Sequence, residues 1–468
     1  MVRSVNCLSM LIDSSLRRLT ISILFIIAIL NVAGLFFDGT TWIILHIVLC
    51  AILTGAVYVV IRSGLWNNSV FWMILIGIGM VVRCVYIFSI QIPIRSDQLK
   101  CLEAAKLLLK GDKTWVQDQY FQRWAYQIPF VLYEAAVLKL FGDVSALYVF
   151  NVIWSSVTCF LLYMIVFEAT EEKLVSLIVS AMYALAPAYI MHIGLLYNNI
   201  LGGCLWLSAI YVFLKAMKGK SYSWGYLLCG IILAMSQAIR SEAIILLLAI
   251  LCFGIYEVVK GTSNRNRVMS LFKIGSVLVA YKLTISVFSY CVELFGLGCG
   301  GIYNHNPYWY LVCGFSPENY GEYSVQYAYI LDILDPSKQR EAFFQIMKEI
   351  IGGWNIKSFF KFWIGKMYRM WGGDNGPFAY GLDSSTWMQL ILFLNRAIYF
   401  FTVVFSYIGM QHKDSKTKLL FTIAFLGFFF AFLFKEISVK YRYNPGLCLF
   451  VLSAFGISMI NDRVRSST

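Results

Sequence analysis

The chain has 468 residues, of which 60% are hydrophobic and 13% are charged, and its mean hydropathy is +0.72. Soluble globular proteins contain roughly 45–50% apolar and about 25% charged residues, so this composition excludes that class and predicts a protein of the lipid bilayer. Disordered, collagen-like and small disulfide-stapled chains are also excluded, since only 8 Pro and 12 Cys are spread over the sequence. The net charge of +13 comes mostly from cations that flank apolar runs, which indicates orientation in a membrane and no nucleic-acid partner.

Twelve segments have the roughly 20 apolar residues that a membrane-crossing helix needs. We therefore predict an all-α, polytopic membrane protein with about 12 transmembrane helices. The first segment follows Arg17 and Arg18 and lacks a small-residue cleavage site, so we expect a retained anchor rather than a signal peptide. The predicted spans are 19–37, 42–61, 70–90, 145–167, 174–196, 200–214, 222–239, 243–259, 274–295, 387–410, 419–434 and 443–460.

A further apolar stretch, 127–141, is short for a span and contains Glu134 and Lys139. If it crossed the membrane, most of the cations in short loops would lie outside, against the positive-inside rule. We therefore predict a re-entrant or interfacial helix here and cytoplasmic termini. The predicted regions are three N-terminal transmembrane helices (1–90), a first extracytoplasmic loop (91–142), a transmembrane core (143–295), a second extracytoplasmic loop (296–386) and C-terminal transmembrane helices (387–468).

Each long loop contains one amphipathic segment that is predicted to lie on the membrane surface. In the first loop, 97–110 has Leu99, Leu102, Ala105 and Leu109 on one face, and we expect Asp97 to cap this helix. In the second loop, 354–371 has apolar residues at helical spacing, with Trp354, Trp363 and Trp371 as interfacial belt residues.

Most of the cysteines lie in apolar segments, where Cys usually packs as a small hydrophobic residue. Only Cys101, Cys299 and Cys313 are predicted to lie in loops. A Cys299–Cys313 disulfide requires an oxidising compartment, and the sequence leaves this pairing open.

Asp97 is the strongest candidate for chemistry, because it begins a surface helix directly after the third predicted span. A carboxylate held at the boundary between lipid and water can act as a general base. The alternative is a helix cap, and the two roles are compatible because a helix end fixes the side chain.

Several short motifs share one predicted membrane face. They are Ser96-Asp97-Gln98, Ala104, Leu107 and Gly111, the run from Tyr120 to Gln127, Leu140-Phe141-Gly142, Ala238-Ile239-Arg240, Gly314 with Gly321, and Glu436 with Arg442-Tyr443. In this order and placement they resemble the GT-C glycosyltransferases, and the nearest branches are the protein O-mannosyltransferases and the lipid A aminoarabinose transferases.

The resemblance implies transfer of a sugar from a polyprenyl-phosphate carrier to a glycan, lipid or protein acceptor outside the plasma membrane, with inversion at the anomeric carbon. The catalytic Asp of that family would correspond to Asp97. Two positions depart from the pattern. Gln98 stands where the mannosyltransferases have a second acidic residue, which weakens the case for a protein as the acceptor. Gln122-Arg123 stands where the aminoarabinose transferases have an acidic residue followed by Lys, so only the positive charge is retained.

Because phosphate is a good leaving group, such a displacement needs a base and cations but no general acid. Arg123, Arg240, Arg442 and Arg83 are the candidate phosphate ligands, since a guanidinium binds phosphate oxygens in a bidentate way. Arg83 lies inside a span and should face a polar cavity or a carboxylate. The alternative for the arginines at helix ends is that they reach towards the membrane interface.

Further residues are candidates for binding the substrates. The aromatic and amide run around His305 and Trp309 suits a sugar, and an interfacial aromatic belt is the alternative. Tyr197 and Asn198 lie at another outer helix end. Tyr126 lies in the first loop, and Glu436 either lies in the site or pairs with Lys440 or Arg442.

No soluble-enzyme motif such as a P-loop, GxSxG or HExxH is present, and four scattered His exclude a metal site built of histidines. No cofactor is predicted, although a divalent cation held by Asp97 and another carboxylate stays open. The competing functions are a lipid-linked oligosaccharide polymerase and a flippase or transporter. A transporter should have repeated halves and broken helices at the midplane, which the sequence does not indicate.

Overall fold

The computed structural model describes residues 2–37, 48, 51–52, 55, 59–60, 62–90, 92–219, 223–261, 263–298, 300–333, 335–373, 386–412 and 415–467. Within these residues the fold is all-α, and the only β-type pairing is an isolated bridge between Trp124 and Asn304. The α-helices are α1 (Val2–Phe37), α2 (Ser69–Ser89), α3 (Ser96–Leu109), α4 (Gln119–Arg123), α5 (Ile128–Phe141), α6 (Ser145–Thr170), α7 (Lys173–Leu185), α8 (Pro187–Met191), α9 (Asn199–Lys218), α10 (Ser223–Ile239), α11 (Ala243–Lys260), α12 (Asn264–Leu294), α13 (Pro307–Phe315), α14 (Pro336–Gly352), α15 (Ile356–Met367), α16 (Thr386–Gly409), α17 (Lys416–Phe434) and α18 (Tyr443–Ser467).

Nine of the described helices are long and apolar enough to cross a bilayer: α1, α2, α6, α9, α11, α12, α16, α17 and α18. Helix α7 and the segment Pro187–Gly194 meet at an angle of 57°, and they make a tenth, broken span if the two are counted as one. Helix α10 is apolar but shorter. Eleven of the twelve predicted spans thus have a helical counterpart, while most of the predicted span 42–61 lies outside the described residues. The chain is a multi-pass membrane protein, and a count of 12 spans is not confirmed.

The break after α7 corrects two expectations about the membrane region. The sequence indicated an unbroken span at 174–196, but Pro187 lacks an amide proton and starts a new helical segment. The Arg83 side chain, which is fully buried, donates to the carbonyls of Tyr183 (3.1 Å) and Ala184 and to Ser155 Oγ (3.0 Å). Arg83 was expected to face a polar cavity or a carboxylate, and backbone carbonyls at the helix break take that place.

Helix α5 has 14 residues and is not among the helices that could cross a membrane. Pro129 lies in its first turn, and Gly142 ends it in the left-handed conformation with φ 77°. The helix packs between α3 and α6, and its Glu134 is buried.

The surface helices depart from the predicted details. The buried face of α3 includes Cys101, Leu102 and Ala105, whereas Leu99 is 40% exposed, so Cys101 is packed inside the predicted helix of the first loop. Cys313 is likewise buried in α13, and Cys299 lies outside the described residues, so the proposed disulfide does too.

Helix α15 exposes Ile356, Phe360 and Ile364, which agrees with an interfacial helix. Trp371, however, is 1% exposed and stacks on Phe429, so it is a core residue and not part of an interfacial belt.

Candidate functional site

The two long loops and the connection between α17 and α18 enclose a pocket of about 730 Å³. Three carboxylates, two lysines and several aromatic rings line it. The lining residues are Ser96, Asp97, Lys100, Tyr120, Trp124, Tyr126, Tyr197, Trp309, Tyr310, Glu322, Tyr323, Glu436, Ile437, Ser438, Lys440 and Tyr441.

Asp97 lies in the first turn of α3, on the wall of this pocket. The helix begins at Ser96, which has φ 51°, a left-handed conformation that costs a residue other than glycine on the order of 1–3 kcal/mol. The N-cap residue is Arg95, and its side chain makes no capping hydrogen bond. The prediction that Asp97 caps the helix is therefore wrong, and its carboxylate faces the pocket.

Gln98, the neighbour of Asp97, ties the start of α3 to the segment before α9. Gln98 is buried, and its Oε1 accepts a hydrogen bond from the backbone N–H of Leu196 at 2.8 Å. Position 98 thus joins the first loop to the segment that follows the broken span.

Burial raises the pKa of Asp97 above its usual value. The positive charge of Lys440 and hydrogen bonding from Tyr120 and Ser96 act in the opposite direction. A carboxylate whose pKa is raised towards neutrality is a better proton acceptor than an ordinary Asp.

The aromatic wall of the pocket joins the two long loops. Tyr126 Oη and Tyr310 Oη share a hydrogen bond of 2.5 Å, and the backbone N–H of His305 donates to Arg123 O at 3.0 Å. Trp309 is 2% exposed and belongs to the lining of the pocket. Sequence analysis predicted Tyr126 and Trp309 as site residues, and the structure brings both to the pocket. His305 is exposed and lies outside the lining.

The α17–α18 connection contributes a second carboxylate and a cation. Glu436 is 7% exposed, and burial raises its pKa to about 7. Its backbone N–H donates to Tyr310 O at 2.7 Å, which holds it against the second loop. Lys440 donates to Tyr197 Oη at 3.2 Å and lies 4.6 Å from the centroid of that ring. Sequence analysis named Glu436 and Tyr197 but gave Lys440 no role in the site.

A buried ion-pair network lies beside the pocket. Arg240 makes a bidentate pair with Glu242 (3.0 and 3.2 Å) and donates to Asn198 Oδ1 at 2.9 Å. Burial of Glu242 is more than offset by the charges of Arg240 and Lys435, so the pKa of Glu242 lies below its usual value. Arg240 thus already has an anionic partner, and Asn198 orients it from outside the pocket lining. Glu242 has no motif around it and was not identified from the sequence.

Two of the other predicted phosphate ligands lie elsewhere. Arg123 pairs with Asp332 of the second loop at 2.8 Å. Arg442 donates to Gly373 O at 2.9 Å and lines a separate, mainly apolar cavity beside Tyr399 and Asn395. Arg83 is enclosed at the helix break. None of these three arginines lines the pocket that contains Asp97.

Lys366 anchors the wall that carries Glu436. Lys366 is 1% exposed, and its Nζ donates to the carbonyls of Gly314, Leu433 (2.9 Å) and Lys435 (3.1 Å). A Cβ at Gly314 would overlap the backbone of Phe434 and Lys435, which explains the glycine there. The sequence placed Lys366 on an interfacial helix and gave no sign of this role.

No group of three or more His, Cys, Asp or Glu side chains in the described part of the chain could hold a metal ion. The pocket carboxylates Asp97, Glu322 and Glu436 therefore form no such group, and Glu322 already pairs with Arg369. A divalent cation held by Asp97 and one other carboxylate, which the sequence left open, stays open.

Comparison with known proteins supports the resemblance noted from the sequence. A family model described as dolichyl-phosphate-mannose-protein mannosyltransferase matches residues 129–287, about a third of the chain, and confirms the similarity to GT-C glycosyltransferases over that segment. Asp97 lies outside the matched segment. No curated protein matches the chain at a significant level.

Two similar solved structures are oligosaccharyltransferases from Archaeoglobus fulgidus. One is AglB in complex with an inhibitory peptide and a dolichol-phosphate, with a TM-score of 0.49 and 14% identity over 84% of this chain. The other is tethered to an acceptor peptide containing the NVT sequon, with a TM-score of 0.44 and 14% identity over 85% of this chain. This chain covers 50% of each archaeal chain.

Proposed function

We propose that this protein is an inverting glycosyltransferase that moves a sugar from a polyprenyl-phosphate donor to an acceptor on the extracytoplasmic face of the plasma membrane. The observation that carries the proposal is the position of Asp97 in a large, aromatic-walled pocket where membrane helices end. The match to the mannosyltransferase family model supports the same class of reaction.

In the proposed reaction an acceptor hydroxyl attacks the anomeric carbon of the donor sugar. Its proton passes to the Asp97 carboxylate, and the bond between the anomeric carbon and the phosphate oxygen breaks with its electron pair remaining on the polyprenyl phosphate. The raised pKa of Asp97 favours this proton transfer. The tyrosine and tryptophan rings of the pocket provide apolar faces for a sugar and hydroxyls for its polar edge.

The departing phosphate needs a cation, and Lys440 is the best placed to supply it. Lys440 lines the pocket and acts electrostatically on Asp97, whereas Arg240 is already paired with Glu242. Lys100, the other lysine of the lining, is paired with Asp118 at 2.7 Å. We therefore assign phosphate binding first to Lys440. Arg240 is a neighbouring positive charge whose guanidinium is already bonded to both carboxylate oxygens of Glu242.

The proposal is tested with the purified protein in lipid nanodiscs, a panel of polyprenyl-phosphate sugars and cell-envelope extracts as acceptors. Product is measured by mass spectrometry, and the glycans of cells with and without the protein identify the sugar and the acceptor. Asp97→Asn should lower transfer at least about 100-fold with the melting temperature unchanged. Asp112→Asn, in the same loop but outside the pocket lining, is the matched control. Near-normal transfer by Asp97→Asn would reject the assignment.

A further inference from the structure

A second charged cavity, of about 190 Å³, lies among helix ends that the proposed reaction does not use. It is formed by the N-terminal half of α1, the end of α11 and the start of α17. Its lining residues are Asp13, Leu16, Arg17, Tyr256, Glu257, Lys260, Met410, Ser415, Lys416, Lys418, Leu419 and Thr422.

This cavity lies at the membrane face opposite the Asp97 pocket. Helix α11 begins next to Glu242, beside the pocket, and ends at Lys260 in the cavity. Helix α17 runs the other way, from Lys416 in the cavity to the residue before Lys435. At 1.5 Å per residue these helices separate the two sites by about 27 Å, the thickness of a bilayer core.

The cavity has more positive than negative charge. Four cations line it, namely Arg17, Lys260, Lys416 and Lys418, and its two carboxylates are already engaged. Glu257 pairs with Lys416 at 2.5 Å, and Asp13 accepts a hydrogen bond from Tyr256 Oη at 2.6 Å.

Arg17 is the cation of this cavity that is best placed to bind an anionic ligand. It is half-buried, and no described residue forms an ion pair or a hydrogen bond with its guanidinium. A half-buried guanidinium in a cavity with surplus positive charge is suited to a phosphate oxygen.

We infer that this cavity binds the phosphate of an anionic phospholipid in the leaflet opposite the Asp97 pocket. Arg17 holds the phosphate oxygens, while Lys416, which is paired with Glu257, and Lys260, which is hydrogen-bonded to Tyr256 Oη at 3.3 Å, add positive charge from the side. Leu16 and Leu419 in the same lining provide apolar contact for the start of the acyl chains. Further into the membrane α1 exposes Leu19, Phe25 and Ile26, which favours a lipid over a soluble anion.

The experiment uses the full-length protein, stripped of lipid in neutral detergent. Short-chain phosphatidylglycerol is titrated in, with bound lipid counted by native mass spectrometry and the melting temperature followed in parallel. Phosphatidylcholine and inorganic phosphate are titrated separately, the first to test the need for net charge and the second to test the need for acyl chains. Arg17→Gln is compared with Arg18→Gln, because Arg18 is the next residue of the same helix but is exposed and lies outside the cavity.

We expect phosphatidylglycerol to bind and stabilise the wild type, and Arg17→Gln to weaken this binding about tenfold, the loss of one charge-assisted hydrogen bond. Arg18→Gln should bind as the wild type does. Equal loss in both variants, or none in Arg17→Gln, would overturn the site. Inorganic phosphate binding as tightly as the lipid would show a soluble anion to be the ligand. Because Arg17 has no ion-pair or hydrogen-bond partner among the described residues, Arg17→Gln should keep the melting temperature of the unliganded protein. Lys416→Gln provides a second removal of positive charge from the cavity.

Discussion

Asp97 and Glu436 lie far apart in the sequence but face the same pocket, and the negative charge of Asp97 contributes to the raised pKa of Glu436. The main cause of that shift is burial, and the nearby Lys435 and Lys440 offset only part of it. Burial thus raises the pKa of both carboxylates, and that of Glu436 lies close enough to neutral pH for this group to hold a proton there.

The first prediction concerns stability as a function of pH. Glu436 has a pKa of about 7 in the folded protein and an ordinary value of 4.5, so between these values the native state holds a proton that the unfolded chain has lost. Stability should fall as pH rises through this window, by on the order of 3 kcal/mol for this one group. Melting curves between pH 4.5 and 7.5 should show a shallower decline for Glu436→Gln. An unchanged slope would mean that Glu436 titrates normally.

The second prediction tests the assignment of the phosphate to Lys440. Lys440→Ala should raise the KM for the polyprenyl-phosphate donor at least about tenfold, because a charge-assisted contact is lost. Lys440→Arg should recover part of that loss. The comparison variant is Lys100→Ala, which removes a lysine of the same pocket that is paired with Asp118. A larger donor defect in Lys100→Ala would transfer the role to that residue.

The third prediction concerns the wall that carries Glu436. Gly314→Ala places a methyl group against the backbone of Phe434 and Lys435, so that this segment has to move. We expect a lower melting temperature, by the equivalent of about 1–3 kcal/mol, together with reduced transfer. Gly352→Ala is the matched control, because nothing lies within 4 Å of a Cβ there. Wild-type behaviour of Gly314→Ala would contradict the close packing of this wall.

The fourth prediction separates two roles for Arg123. If Arg123 only links the loops, Arg123→Ala and Asp332→Ala should lower stability alike, by at most about 1 kcal/mol, since Asp332 is 75% exposed. The KM for the donor should then be unchanged in both. If Arg123 binds phosphate, only Arg123→Ala should raise that KM. Steady-state kinetics on the two variants therefore decide between the roles.

The fifth prediction concerns the buried pair beside the pocket. Arg240→Ala leaves the Glu242 carboxylate, 6% exposed, without its bidentate partner. Such a loss costs about 3–5 kcal/mol, although Lys435 retains part of the pairing. Thermal unfolding should show a large decrease for Arg240→Ala and a smaller one for Arg240→Lys. A stable Arg240→Ala variant with a pure donor-binding defect would restore Arg240 as the principal phosphate ligand.

The sequence predicted the helices of the membrane region well, because long apolar runs leave few alternatives to a helix in a bilayer. It predicted less about which face of a surface helix is buried. In α3 the pattern of Leu99, Leu102 and Ala105 suggested one buried face, but packing against α5 also buries Cys101 and exposes Leu99. In a membrane protein both lipid and protein interior accept apolar side chains, so hydrophobicity does not separate the two faces.

The candidate site was only partly predictable for a related reason. Asp97 could be identified because it begins a surface helix directly after a predicted span, and Glu436 because its place before Arg442-Tyr443 resembles the GT-C pattern. The partners of the cations could not, because the pairing of Arg240 with Glu242 and the enclosure of Lys366 by three carbonyls depend on how separate loops meet. Lys440 was not predicted as a phosphate ligand, because arginine is in general the residue that binds phosphate in a bidentate way.

The contact of Arg83 with the end of α7 has an electrostatic consequence for the broken span. The carbonyl end of a helix is the negative pole of its dipole, and inside a bilayer no water is present to solvate it. The Arg83 guanidinium, contributed by α2, reaches this pole and bonds to the carbonyls of Tyr183 and Ala184. The positive charge of Arg83 thus neutralises the negative end of α7 at the bend. In Arg83→Met, the two carbonyls would lose their hydrogen-bond donor and the helix dipole its counter-charge.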